Sequence, residues 1–111
     1  MILNANDIPF EPTAHGEGQK KVLIRSSDTP TMLTQFAYGK LSAGEKVAEH
    51  VHQTMEEVFY FLAGEGMYTI NGQILHVSSS TVVRIPAGLP HSLAASLVGP
   101  LEFLYFGIAT L

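Results

Sequence analysis

The sequence reads as a single all-β domain. Short runs rich in Val, Ile, Leu, Phe, Tyr and Thr recur at regular spacing, turn-forming clusters separate them, and no stretch sustains a 3.6-residue apolar period. A chain of 111 residues, 46% apolar and only 14% charged, has enough hydrophobic material for one core and too little length for two domains of ordinary size.

The elements follow in chain order. Residues 1–20 carry Pro9, Pro12, Gly16 and Gly18 among polar neighbours. This composition suits an irregular N-terminal arm that lies over the barrel or a partner subunit. The domain proper is expected over residues 21–111, where nine strands are read: "VLIR", "MLTQFAYGKL", "KVAEHVH", "EVFYFLA", "GMYTI", "QILHV", "TVVRI", "HSLAASLV" and "LEFLYFGI". Between them stand "SSDTP", "SAGE", "AGEG", "NG", "SSS", "PAGLP" and "VGP". The pair Asn71–Gly72 is the strongest hairpin signal, because both residues tolerate positive φ. Strands of this number and spacing form a sandwich or a barrel.

Charge and composition remove several function classes. Six basic against ten acidic residues give a net charge of −4, and the longest basic run is Lys20–Lys21, so nucleic acid is not an expected partner. No apolar stretch approaches the length of a spanning helix, so no membrane role is expected. The N-terminus has no signal-peptide pattern, which makes the cytoplasm the expected location. With no cysteine in the chain, a metal would have to be held by imidazole, carboxylate or water. Such ligands suit Fe, Mn, Ni, Cu or Zn.

The stretch "GEKVAEHVHQTMEEVFYFLAG" over residues 44–64 concentrates this chemistry. Side chains alternate along a strand, so His50 and His52 are expected on one face and Val51 on the other. Taking "QTME" as the link between two antiparallel strands sets Glu57 nearly across from His52, about 5 Å away between Cβ atoms. Parity then separates the two glutamates. Glu57 faces inward with Phe59 and Phe61, as the candidate ligand, while Glu56 faces outward with Val58 and Tyr60 as a solvated charge. A second cluster, "PAGLPH", uses Pro86, Gly88 and Pro90 to turn the chain and deliver His91 to the start of a strand.

These two segments resemble the two sequence motifs of the cupin superfamily. Gly44, His50, His52, Glu57 and Gly64 match the first motif at every defining position, and Pro86, Gly88 and His91 match the second. Two departures stand in the second: Ser80 where the family commonly has glycine, and Ala95 where it commonly has asparagine. The resemblance implies a cupin double-stranded β-helix, or jelly-roll barrel. It also implies one divalent transition metal held by His50, His52, Glu57 and His91, and often a homodimer.

Other residues are weighed beside this set. His15 and His76 belong to neither motif and read as ordinary surface or rim histidines. The aromatic residues Phe36, Phe59, Phe61, Phe103, Phe106 and Tyr105 suit core packing, the common role of aromatics in strands. Arg84 interrupts an apolar run and has two readings: a contact to a substrate carboxylate, or a place on an outer face beside water. With Gln35, Tyr38 and Phe59 it forms the candidate substrate pocket, and Tyr60 is a lesser candidate.

Three imidazoles and one carboxylate leave a bound divalent ion with net positive charge and open positions. The leading expectation is a metal-dependent enzyme acting on a small polar metabolite. Dioxygenase chemistry is expected with Fe, Ni or Cu, and isomerase or lyase chemistry with Mn or Zn. No separate general base is apparent in the sequence; a metal-bound hydroxide, Glu57 released from the metal, and a rim residue such as Tyr38 or His76 are the alternatives. The competing expectation is a non-catalytic module that binds a metal and a sugar or hydroxy acid.

Overall fold

A computed structural model describes residues 1–110. Ten strands run along the described residues: β1 (Glu11–Pro12), β2 (Gln19–Arg25), β3 (Leu33–Leu41), β4 (Lys46–His50), β5 (Met55–Ala63), β6 (Glu65–Ile70), β7 (Gln73–Ser78), β8 (Val82–Ile85), β9 (His91–Ala95) and β10 (Leu101–Ala109). Nine of them coincide with the nine apolar runs. The tenth, β1, is a two-residue strand in the segment expected as an irregular arm, and it pairs with β2 through Glu11↔Lys20 and Pro12↔Gln19. A two-residue pairing leaves no periodicity for a sequence to display.

All pairings are antiparallel, and they build two sheets ordered β1-β2-β3-β10-β5-β8 and β4-β9-β6-β7. The two sheets face each other in a jelly roll, each a separate hydrogen-bonded unit among the described residues. The Asn71–Gly72 pair closes the β6–β7 hairpin with φ of 50° and 81°, so that Ile70 opposes Gln73. Positive φ at both central residues marks a type I′ turn, whose twist matches that of the flanking strands.

Alternation along the strands fills the space between the sheets. In β5, Glu57, Phe59 and Phe61 are buried, and in β10, Leu101, Phe103 and Tyr105 are buried. The rings pack on one another: Phe59 stacks on Tyr105 with centroids 5.0 Å apart, and Phe61 meets Phe103 at 5.5 Å. Gly39, opposite Phe103 in the register, leaves room for that ring, since a Cβ there would collide with it. Leu41, Tyr68, Val77, Ile85 and Leu93 complete the core.

Ser80 supplies the physical meaning of one departure from the cupin pattern. Its φ is +71°, in the left-handed region that glycine enters freely and that costs another residue about 1–2 kcal/mol. The turn is held nonetheless: the Ser80 amide donates to the Phe61 carbonyl at 2.8 Å, and the Thr81 amide donates to the Ser78 carbonyl at 3.0 Å.

Candidate metal centre

Four side chains from three places in the sequence meet at one end of the space between the sheets. His50 ends β4, His52 follows it in the loop, Glu57 lies in β5 and His91 opens β9. One ligand atom from each, a ring nitrogen or a carboxylate oxygen, falls within 4.8 Å of every other. His50 and His91 are cross-strand partners in the four-stranded sheet, with ring centroids 4.3 Å apart.

Glu57 arrives from the other sheet, which corrects the expected geometry. β4 and β5 are not paired with each other; β4 pairs with β9, and β5 pairs with β10 and β8. The loop "VHQT" carries the chain from one sheet to the other. Glu57 therefore meets His52 across the gap between sheets, with His52 Nε2 3.4 Å from Glu57 Oε1. Inward parity of Glu57 along β5 is nevertheless as read, because Phe59 and Phe61 fix the inner face.

Backbone carbonyls orient two of the rings. His50 Nδ1 lies 2.8 Å from the Ala48 carbonyl, and His91 Nδ1 lies 2.9 Å from the Leu89 carbonyl. A carbonyl can only accept, so each Nδ1 carries the proton and each Nε2 presents a lone pair in the neutral ring. His91 Nε2 is buried and has no hydrogen-bond partner among the described residues. It faces Glu57 Oε1 at 3.4 Å, as does His52 Nε2. The buried Glu57 carboxylate thus lies 3.4 Å from two ring nitrogens, and in the neutral His91 ring the one facing it is a lone pair, a contact that a cation among them relieves. The donor set thus fits a metal: three imidazoles with two tautomers fixed, and one carboxylate that is only 6% exposed.

The electrostatics agree. Burial lowers the pKa of His50 and outweighs the opposing Ala48 carbonyl, with His91, His15 and His52 lowering it further. Burial also lowers that of His52, against the pull of the Glu57 carboxylate. Both rings therefore stay neutral near pH 7 and keep their lone pairs. For His91 burial acts downward too, but the Glu57 carboxylate beside its Nε2, together with the Leu89 carbonyl at its Nδ1, carries its pKa above the ordinary value. A proton or a metal ion relieves the same contact there. Burial and the Glu57 charge raise Tyr68 and Tyr105, so both phenols remain neutral.

Beside the four residues lies a cavity of about 110 Å³. Phe59, Tyr68, Leu93, Phe103 and Tyr105 form much of its wall, and Gln35 and Lys20 reach it from β3 and β2. An engineered cavity of about 150 Å³ holds benzene, so this one suits a ligand of a few heavy atoms.

The candidate pocket residues divide. Gln35 and Phe59 line the cavity, whereas Arg84 and Tyr38 do not. In β8, Val83 and Ile85 take the inner face, so Arg84 points outward and donates to both carboxylate oxygens of Glu56, at 3.2 and 3.0 Å. Of its two readings, the outer face is the one observed. Tyr38 likewise points away from the cavity because Ala37 and Gly39 are buried on the inner face, and its hydroxyl bonds Glu102. Tyr60, also outward on β5, is 44% exposed.

His15 is the residue that sequence reasoning missed. Its ring stacks on His50 at 4.1 Å and meets His52 edge-on at 5.7 Å, and it lines the cavity. A bridge between Gly16 and Val47 and a bond from the Ala48 amide to the His15 carbonyl, 2.8 Å long, hold it there. Gly16 permits this approach, since a Cβ would lie 2.6 Å from the Lys46 carbonyl oxygen. Only the glycine after His15 hints at such a contact in the sequence. His76, by contrast, is exposed on β7, with Nε2 3.9 Å from Glu65.

Comparison with known proteins identifies the family. The sequence model described as "Cupin domain" (Cupin_2) matches residues 37–107. A Thermotoga maritima protein named oxalate-binding protein is 35% identical over 109 residues, covering 94% of this chain and 90% of its own length. The crystal structure of a predicted oxalate decarboxylase from Thermotoga maritima superposes with a TM-score of 0.90 at 26% identity, covering 98% of this chain and 99% of that one. The transcriptional regulator PuuR of Escherichia coli is 26% identical over 99 residues, 89% of this chain but 51% of the regulator. With both motifs, the two-sheet jelly roll and the inward His and Glu cluster in agreement, the chain belongs to the cupin family.

Proposed function

We propose that the chain holds one divalent transition metal through His50, His52, Glu57 and His91 and binds a small carboxylate of the oxalate class at the open side of that ion. The buried, partnerless Nε2 of His91 facing the Glu57 carboxylate carries this reading. Neutral imidazoles and a single carboxylate leave a divalent ion with one net positive charge, which favours an anionic ligand. The small cavity limits that ligand to a few atoms. The name of the Thermotoga relative supports oxalate in particular.

Bound metal supplies Lewis acidity that polarises a coordinated carboxylate. Turnover of the ligand is the second reading, favoured by His15, an imidazole outside the proposed ligand set that lines the same cavity and can exchange a proton with a bound molecule. Calorimetric titration with oxalate tests the first reading. Binding is expected to the metal-loaded chain and to weaken by about 100-fold or more in the metal-free chain, a difference of about 2.7 kcal/mol. Equal affinity with and without metal would contradict it. Incubation with ¹³C-oxalate separates the two readings: unchanged oxalate supports binding alone, and formate with carbon dioxide supports catalysis.

The outer face of the six-stranded sheet supports a homodimer. Phe36, Phe106 and Val58 form one outward row across β3, β10 and β5, and Leu104, Tyr60 and Val82 form another across β10, β5 and β8. An antiparallel sheet facing water on one side normally alternates apolar and polar residues, and here apolar side chains also take up much of the outer face, beside the Arg84–Glu56 pair. Val82 and Tyr60 are 62% and 44% exposed in the isolated chain. A second copy laid on this face buries both sets at once. Light scattering should give twice the chain mass, and Tyr60→Lys with Val82→Glu should return it to that of one chain. A wild-type monomer would refute the arrangement.

A further inference from the structure

The cavity has a second polar end that the four clustered residues do not explain. Gln35, Gly107 and Glu57 occupy one cross-strand row of the six-stranded sheet. Adjacent strands lie about 4.8 Å apart, so the backbones of Gln35 and Glu57 are separated by about 10 Å. Gly107 between them contributes no side chain, and a Cβ there would strike Thr34 and Met55. The row thus has a carboxylate at one end and an amide at the other, with the Thr34 hydroxyl and the Met55 sulfur over Gly107 between them.

Lys20 joins the amide end. It lines the cavity, and its Nζ donates to Gln35 Oε1 at 3.3 Å. Its Cα partner on β1 is Glu11, an obvious counter-ion, yet Glu11 pairs instead with Arg25 at 3.0 Å. Lys20 has no ion pair among the described residues. A cation held by a neutral amide at a partly apolar cavity is arranged to receive an anion.

We propose that Lys20, steadied by Gln35, binds the second anionic group of a ligand whose first group lies at the metal, so that the cavity selects small dianions over monoanions of similar size. This inference rests on the carboxylate reading of the site and adds a specificity-determining residue from outside the cupin motifs. Charge-assisted hydrogen bonds of this kind change affinity by about tenfold to a hundredfold.

The test compares oxalate with glycolate, which keeps one carboxylate and a chelating hydroxyl but lacks the second negative group. Both are titrated calorimetrically into Mn(II)-loaded protein, with metal content confirmed for each variant. Lys20→Met should weaken oxalate at least about tenfold while changing glycolate by less than about threefold, and Lys20→Arg should keep most of the preference. Equal losses for both anions, or none for either, would overturn the role of Lys20 while leaving the metal-site reading intact. Failure of wild-type protein to bind either anion would overturn the carboxylate reading and this inference with it.

Discussion

Saturation with a divalent transition metal should raise the melting temperature of the wild-type chain by roughly 15 °C. A ligand that binds only the folded state at about 1,000 times its Kd contributes about 4 kcal/mol, and a domain of this size shifts by about 4 °C per kcal/mol. Glu57→Gln separates metal binding from folding. The amide keeps the shape and removes the desolvation cost of a buried carboxylate along with its attraction for the neighbouring imidazoles, so the metal-free variant should still fold and melt near the wild-type temperature. Its response to metal should fall to a few degrees. His91→Ala should lose the response as well, but it also opens a cavity at a fully buried site and leaves Glu57 without a neighbouring donor, lowering the metal-free melting temperature. Thermal denaturation with and without metal checks both variants. An undiminished shift in Glu57→Gln would show that the stabilising ion binds elsewhere.

The largest purely structural effect is expected at Gly64, the last residue of the first motif. Its φ is +88°, and an added Cβ would run into the Pro100 carbonyl and lie 3.0 Å from the Leu101 Cα. Left-handed strain of about 1–2 kcal/mol and overpacking against unyielding backbone of about 1–3 kcal/mol together give about 3 kcal/mol for Gly64→Ala. That is a large share of the 5–15 kcal/mol by which domains are typically stable. Gly72→Ala is the comparison: φ there is +81°, but nothing lies within 4 Å of the added atom, so only the strain remains. Its cost should be about 1 kcal/mol. Chemical denaturation of both variants reads the difference, and equal costs would show that the chain relaxes around Pro100.

These glycines show what part of the structure was legible in the sequence. Turn residues are chosen by local backbone geometry, so Gly44, Gly64, Gly88 and the Asn71–Gly72 pair mark real positive-φ positions. Even the departure at Ser80 falls on one. Strand parity was equally readable, because burial on one face imprints a period of two, and it placed Glu57 inward and Glu56 outward. What escaped was long-range. Sheet membership of β4 and β5 depends on how the "VHQT" loop crosses the barrel, and no local pattern encodes it. Arg84 kept two readings because four of its neighbours are apolar or β-branched, and the alternation between Val83 and Ile85 turns it to the outer face. His15 and Lys20 lie before the region matched by the family, and they reach the cavity through pairings with β4 and β3 that their own sequence neighbourhood does not announce.

X-ray absorption at the edge of a bound Co(II) or Zn(II) ion probes the convergence of these side chains most directly. The predicted spectrum has a nitrogen and oxygen shell near 2.0–2.2 Å with the multiple scattering of about three imidazoles, at one ion per chain, and it loses one imidazole contribution in His52→Ala. A shell of oxygen alone, or a spectrum unchanged by that substitution, would mean that His50, His52, Glu57 and His91 do not share an ion.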